Sequence, residues 1–257
     1  MEEILVSLIA GLFAGLSTGF AGLSAAVFIA PMLVAFLGVD SFSAIGIALA
    51  SDVLASAASF VTYHKHGNTA IKEAKALTAT VLIFAITGTL VSHILTGINT
   101  GETLMSWWLI AASLILGIKL SFFPGKENKD GANRLPLSDK AVMVLCGIYI
   151  GFVCGFQGTG GGLMLLFVLN ILLGMEFKKS VGTSVGIMAV TAFIGMVSHF
   201  ALRGLPDIKL LVICVLSTLF GAGVASALAN HVKPVTLKRI TGTLMTLSCL
   251  AMLYANM

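Results

Sequence analysis

The chain has 257 residues, of which 58% are apolar and 10% are charged, and its mean hydropathy is +1.04. A soluble domain usually carries about 25% charged residues, so this composition excludes a water-facing surface and makes lipid the solvent of most of the molecule. The net charge of +4 does not indicate nucleic-acid binding, because the basic residues stand in short loops between apolar stretches.

The predicted elements occur in the same order in each half of the chain. An apolar segment at 4–20 is followed by a break at 21–26, a shorter segment at 27–38, and spans near 42–63, 73–97 and 103–122. The same series returns as 140–156, a break at 157–162, 163–174, and spans near 180–202, 208–230 and 236–256. The short segments reach about 18 Å as helices, less than the ~30 Å hydrocarbon core. Each broken pair is therefore either a re-entrant hairpin or two short spans.

The two halves also match in sequence when they are offset by 136 residues. The alignment pairs Ala44-Ile45-Gly46 with Ser180-Val181-Gly182, and Tyr63 with His199. Four glycines and a phenylalanine coincide near the breaks: Gly11, Gly15, Gly19, Phe20 and Gly22 fall on Gly147, Gly151, Gly155, Phe156 and Gly158. We therefore predict an N-terminal transmembrane repeat at 1–122, a cytoplasmic linker at 123–139 and a C-terminal repeat at 140–257.

The distribution of basic residues predicts that the two repeats are inverted. If each broken pair crosses the membrane twice or returns to its own side, the loops 64–75, 119–140, 174–179 and 231–239 share one side. These loops hold 13 of the 15 Lys and Arg residues, and only Arg203 and Lys209 lie opposite. If each broken pair were instead one continuous span, the repeats would be parallel and the Lys and Arg residues would divide 10 to 5. The positive-inside rule favours the first arrangement, with the basic loops in the cytoplasm. Inverted repeats with interrupted helices are typical of transporters, whose site lies where the breaks face each other.

The second break predicts an anion site. Four glycines in five positions permit positive φ, expose backbone N–H groups and lead directly into a helix, whose N-terminus favours negative charge. Close packing of small residues explains three consecutive glycines poorly, because they cannot all face one neighbour. The predicted ligands are the backbone or side chains of Gln157, Gly158, Thr159, Gly160, Gly161 and Gly162.

Four hydroxyls in or near the breaks are further candidate ligands. Ser24 lies in the first break, where small side chains replace the glycine run, and Ser17 precedes it. Thr183 and Ser184 open the span after the second break. The competing interpretations are small-residue packing for the first pair and hydrogen bonds to carbonyls of the same helix for the second.

Asp52 is the one acidic residue deep inside a predicted span, and Ser51 precedes it. A carboxylate within the membrane predicts a function, here either proton coupling or holding a helix in register. Tyr63, His199 and Arg203 lie at or near span ends, where gating and topological anchoring are both open.

The chain resembles the sulfite exporter TauE/SafE family over nearly its whole length. The resemblance rests on the doubled G-x3-G-x3-G-F-x-G pattern, the G-x-G-G-G run at 158–162 and the Ser180–Ser184 segment. It implies secondary transport of sulfur-containing anions such as sulfite, thiosulfate, sulfoacetate and other sulfonates. The first half departs from the family pattern because it has Gly22-Leu23-Ser24-Ala25-Ala26 instead of the glycine run, although it keeps Pro31. The second half has the glycines, but Phe167 stands where a proline is expected.

The resulting prediction is an all-α membrane protein, multi-pass in the cytoplasmic (inner) membrane, that moves sulfite, sulfoacetate or a related sulfonate by alternating access. Since no ATPase motif occurs, a gradient must drive transport, and Asp52 is the candidate proton carrier. The alternatives are a cation or metal-ion transporter and a non-transporting membrane assembly factor. No enzymatic activity, cofactor, metal or nucleic-acid partner is predicted. The expected partners are a small anion and the lipid bilayer, and homo-oligomerisation is left open.

Overall fold

The computed structural model describes residues 2–94, 118, 121–122, 140–157 and 161–255, and this part of the chain is helical without a strand. The predicted span at 103–122 and the linker at 123–139 lie almost wholly outside the described residues. The first half contains α1 (Glu2–Ala21), α2 (Ala26–Leu37), α3 (Ser41–Lys65) and α4 (Lys75–Ile94). The second half contains α5 (Lys140–Gln157), α6 (Gly162–Phe167, continued by a π-helical turn at Val168–Leu172), α7 (Phe177–Arg203), α8 (Ile208–His231) and α9 (Pro234–Ala255).

The protein has the surface of a membrane protein. Within the described residues, four stretches are long and apolar enough to cross a bilayer: Glu2–Ala21, Ser43–Lys65, Phe177–Ala201 and Ile208–His231. Large apolar side chains face outward, such as Leu145 and Phe220, which are 66% and 67% exposed. Serine and threonine hydroxyls lie inside, bonded mostly to carbonyls. Apolar groups outside and satisfied polar groups inside are what a lipid solvent requires.

The glycine stripes of the two halves pack helices of opposite halves together. On α1, Gly11 and Gly19 lie against Ser217 and Ala225 of α8. On α5, Gly147 and Gly155 lie against Thr80 and Ala85 of α4, which is the repeat-related pair. A methyl group at any of the four glycines would overlap or press on the partner helix. The stripes therefore act as close-contact surfaces, the interpretation that small-xxx-small spacing favours.

The α3 and α7 helices, which are repeat equivalents, pack against each other in opposite directions. Gly46 of α3 lies against Phe200, whereas Gly182 of α7 lies against Tyr63. Gly195 meets Leu49 between these two contacts. Residue numbers thus rise along α7 as they fall along α3.

Each short helix begins at an interruption of the chain inside the fold. Gly22 (φ +65°) follows α1 and has the left-handed backbone conformation that commonly ends an α-helix. Its N–H donates to the Thr18 carbonyl at 2.9 Å. Gly161 (φ +69°) immediately precedes α6. The π-helical turn of α6 was not predicted. Its Leu173 N–H donates to the Val168 carbonyl at 2.9 Å, and Gly174 (φ +62°) then ends the element.

Candidate functional site at the helix breaks

The two breaks contact each other. Gly162, the first residue of α6, packs on the carbonyl oxygen of Gly22, and a methyl group at Gly162 would overlap that oxygen. Ser184 of α7 borders the same place, since a Cβ at Gly22 would lie 2.6 Å from its Oγ. Both short helices therefore start in one buried region, which is where a site between broken helices is expected.

At the first break, the start of α2 is closed by a carboxylate from α3. Asp52 is fully buried, and its Oδ1 accepts a hydrogen bond from the Ala25 N–H at 2.6 Å. Its Oδ2 accepts a hydrogen bond from Ser24 Oγ. The Ser24 Oγ in turn accepts from the Ala26 N–H at 3.3 Å. A negative group at a helix N-terminus is stabilised by the free N–H groups and the helix dipole.

At the second break, α6 begins without a side-chain cap. Gly161 precedes α6 and has no side chain to cap it. Gly161 and Gly162 are both buried, and Cys154 lies against the first and Met188 against the second. Of the predicted ligands, Gly158, Thr159 and Gly160 lie outside the described residues. Gln157 ends α5, and its side chain is also outside them.

The predicted hydroxyl ligands are distributed over several roles. Ser24 is part of the Asp52 cap. Ser17 and Ser184 donate to carbonyls of their own helices, those of Phe13 and Val181, at 2.8 Å each. Ser51 likewise donates to the Ile47 carbonyl at 2.9 Å.

Thr183 is engaged from outside its helix. Its Oγ1 accepts from the Ala70 N–H at 2.9 Å, in the loop that joins α3 to α4. Next to it, Gly182 packs on Asn68 of the same loop. Asn68 donates through Nδ2 to Asn230 Oδ1 at 2.6 Å, and Lys178 Nζ donates to the Asn230 carbonyl at 2.7 Å. These bonds tie one end of α3 to α7 and α8.

The gating candidates lie near the ends of α3 and α7. Tyr63 is buried, and its hydroxyl donates to the Gly19 carbonyl of α1 at 2.9 Å. His199 is partly buried beside Gly46, at the opposite end of the α3–α7 contact. Arg203 ends α7, and its side chain lies outside the described residues.

A polar stripe continues along α3 from the cap. Ser56 and Ser59 follow Asp52 at intervals of four and three residues, on the same helix face, and both are fully buried. Among the described residues neither hydroxyl has a hydrogen-bond partner. Buried hydroxyls without partners are costly and mark places where a polar ligand or water is accommodated.

Two contributors to the site escaped the sequence analysis. One is the Ala25 N–H, because every residue type except proline presents the same backbone donor. The other is Met188, which packs on Gly162. The repeat did carry a signal for it, since Met188 stands 136 residues after Asp52, at the offset that aligns the two halves.

A multi-span helical protein with two helices that begin inside the fold, around buried polar groups, has the architecture of a membrane transporter. The family model for the sulfite exporter TauE/SafE matches residues 7–252. The chain belongs to this family of membrane transporters and is a multi-pass protein of the cell membrane.

Two relatives are also named as probable membrane transporters. A probable membrane transporter protein of Bacillus subtilis, YdhB, is 28% identical over 227 residues, which cover 87% of this chain and 89% of the relative. A probable membrane transporter protein of Methanocaldococcus jannaschii is 34% identical over 56 residues, 22% of this chain and 21% of the relative. No solved structure matches the chain.

Proposed function

We propose that this protein is a secondary transporter that moves sulfite, sulfoacetate or a related sulfonate across the cytoplasmic membrane. The observation that carries the proposal is the start of α6. There Gly161 and Gly162 are both buried, and Gly162 packs on the Gly22 carbonyl of the first break. The side chains beside them are the Cys154 thiol and the Met188 thioether, neither of which is a cation. Backbone N–H groups at a helix N-terminus bind oxyanions without a cation. The predicted residues 157–160 precede this position directly and would complete the ligand set.

Inverted repeats and alternating access belong to the same proposal. The opposite directions of α3 and α7 support inversion, because these helices are repeat equivalents. The contacts Gly46–His199 and Gly182–Tyr63 also exchange with each other under the 136-residue offset. The proposed halves are 1–122 and 140–257, joined by the linker 123–139. In such folds one half rocks against the other around a fixed midplane site.

The test is flux into liposomes that contain the purified protein. Radiolabelled sulfite and sulfoacetate should enter or exchange faster than in empty liposomes, and unlabelled sulfonates should compete. Divalent metal ions and acetate serve as comparison solutes. Flux of the metal ions with no flux of either sulfur anion would refute the proposal and favour the cation transporter.

A further inference from the structure

The two breaks differ in the charge that the protein places on them. The first is closed by Asp52, both of whose carboxylate oxygens accept hydrogen bonds at the start of α2, one from Ala25 and one from Ser24. A bound oxyanion would use the same donors in the same place, since a carboxylate offers two oxygens to the N–H groups of a helix N-terminus. The first break is therefore already occupied by a carboxyl group that belongs to the chain.

The repeat-related position in the second half carries no charge. Met188 stands 136 residues after Asp52, and both residues lie near the middle of long helices that pack on each other. A Cβ at Gly162 would lie 2.7 Å from Met188 Sδ, so this side chain reaches the start of α6 as Asp52 reaches the start of α2. A thioether is neutral and only a weak acceptor.

We infer that Asp52 is the resident anion of the first break, a positioning residue that holds α2 and Ser24, and that this leaves one substrate site per chain, at the second break. The first part of this inference stands on the Asp52 contacts alone. The second part, one substrate site, rests on the proposed function. This positioning role is a separate proposal from the proton-carrier role that the sequence predicts for Asp52.

Removal of the carboxylate should leave a hole that a small free carboxylate can refill. The variant Asp52→Ala should unfold at a temperature lower by roughly 5 °C or more, because buried donors lose a charged acceptor. Formate at about 100 mM should restore about 3 °C or more, since a ligand that binds only the folded state stabilises it. Chloride at equal ionic strength is the comparison salt.

The matched control is Met188→Ala, which shortens the repeat-related side chain without removing an anion. Formate should change its unfolding temperature no more than that of the unaltered protein. An equal effect of formate on all three proteins would overturn the resident-anion role, and so would an Asp52→Ala protein as stable as the unaltered one. This measurement involves no transported substrate, so it stands even if the protein moves no sulfur anion.

A second variant tests the same idea without removing Asp52, so it covers the case in which Asp52→Ala fails to fold. Met188→Asp would place a carboxylate on the start of α6. It should stay folded, because the helix N-terminus receives the charge, and its sulfite flux should fall to that of empty liposomes. Leu49→Asp is the control, because Leu49 is buried against Gly195 of α7, where a carboxylate would lose its hydration, and the variant should not fold. Sulfite flux of Met188→Asp at the unaltered rate would contradict a single site at the second break. The inference would also be contradicted if Met188→Asp failed to fold, as Leu49→Asp is expected to.

Discussion

Gly161 and Gly38 share a left-handed backbone, with φ of +69° and +64°, but differ in their surroundings. A Cβ at Gly161 would overlap the Cys154 sulfur and lie 3.6 Å from Ile150 Cγ2. No described atom lies within 4 Å of a Cβ at Gly38. Backbone strain is thus common to both positions, whereas crowding at the proposed site belongs to Gly161 alone.

This difference gives a prediction at the scale of a residue. Gly161→Val should abolish sulfite flux while the protein remains inserted in the membrane, because the side chain displaces the start of α6. Gly38→Val carries a similar strain of about 1–2 kcal/mol and should keep its flux. The measurement is liposome flux for both variants at equal amounts of reconstituted protein. Undiminished flux of Gly161→Val would refute an anion site at these glycines.

Asp207 gives a second residue-scale prediction, at the start of α8. Its carboxylate accepts from the N–H groups of Lys209 and Leu210, at 2.8 and 3.3 Å. Asp207→Ala should lower the free energy of unfolding by about 1 kcal/mol and the unfolding temperature by about 2–4 °C. The control is Glu176→Ala at the start of α7. Glu176 makes no such cap, and its exposed pair with Lys179 contributes little. Equal shifts of the two variants would contradict the capping role.

At the scale of an element, the glycine stripes bring α1 onto α8 and α5 onto α4 without any large side chain between them. A methyl group at Gly15 would overlap the Thr218 carbonyl oxygen and lie 2.8 Å from the Ala222 N. Both are backbone atoms, which cannot rotate away. Because dense packing replaces the hydrophobic effect between helices in lipid, the fold depends on these contacts.

The corresponding prediction compares two glycines on the same helix pair. Gly15→Val should force α1 away from α8 and cost about 1–3 kcal/mol or more by overpacking, with a lower unfolding temperature and aggregation in detergent. Gly223→Val, on α8 in open space, should be neutral or slightly stabilising, because valine favours helix more than glycine does. Thermal unfolding and gel filtration give the comparison. Similar behaviour of the two variants would mean that the close contact is not required.

At the scale of the whole molecule, polar contacts show which helix ends and loops lie together. The Glu3–Lys209 ion pair, 3.0 Å long, brings the start of α1 and the start of α8 to the same end of the fold. The Asn68–Asn230 hydrogen bond joins the loop 66–74 to the other end of α8. The loop 66–74 is the repeat equivalent of the loop before α8, so the membrane side of each loop distinguishes inverted from parallel repeats.

Labelling of Lys72→Cys and Lys209→Cys therefore tests the topology. These residues are repeat mates, and both are exposed. With inverted repeats, a thiol reagent that cannot cross the membrane should label Lys209→Cys in intact cells and Lys72→Cys only after permeabilisation. The native cysteines lie in apolar segments, and the unaltered protein gives the background. Labelling of both variants from the same side would refute inverted repeats.

The sequence alone was sufficient for the helical membrane class, the family, the positions of both breaks and most helix bounds. These features follow from local chemistry, because apolar length sets the spans and glycine runs permit the interruptions. Gly162, Ser24 and Asp52 were all predicted as site residues, and the structure packs Gly162 on Gly22 and joins Ser24 and Asp52 in the cap.

Only the tertiary structure decided which partners the polar groups take. Ser24 and Asp52 are 28 residues apart, and Thr183 is bonded to Ala70, 113 residues away. A buried hydroxyl can use any carbonyl or N–H group within reach, and reach is set by how the helices pack. The same packing places a carboxylate on one helix start and a thioether near the other, so two halves that match in sequence differ in charge at the breaks.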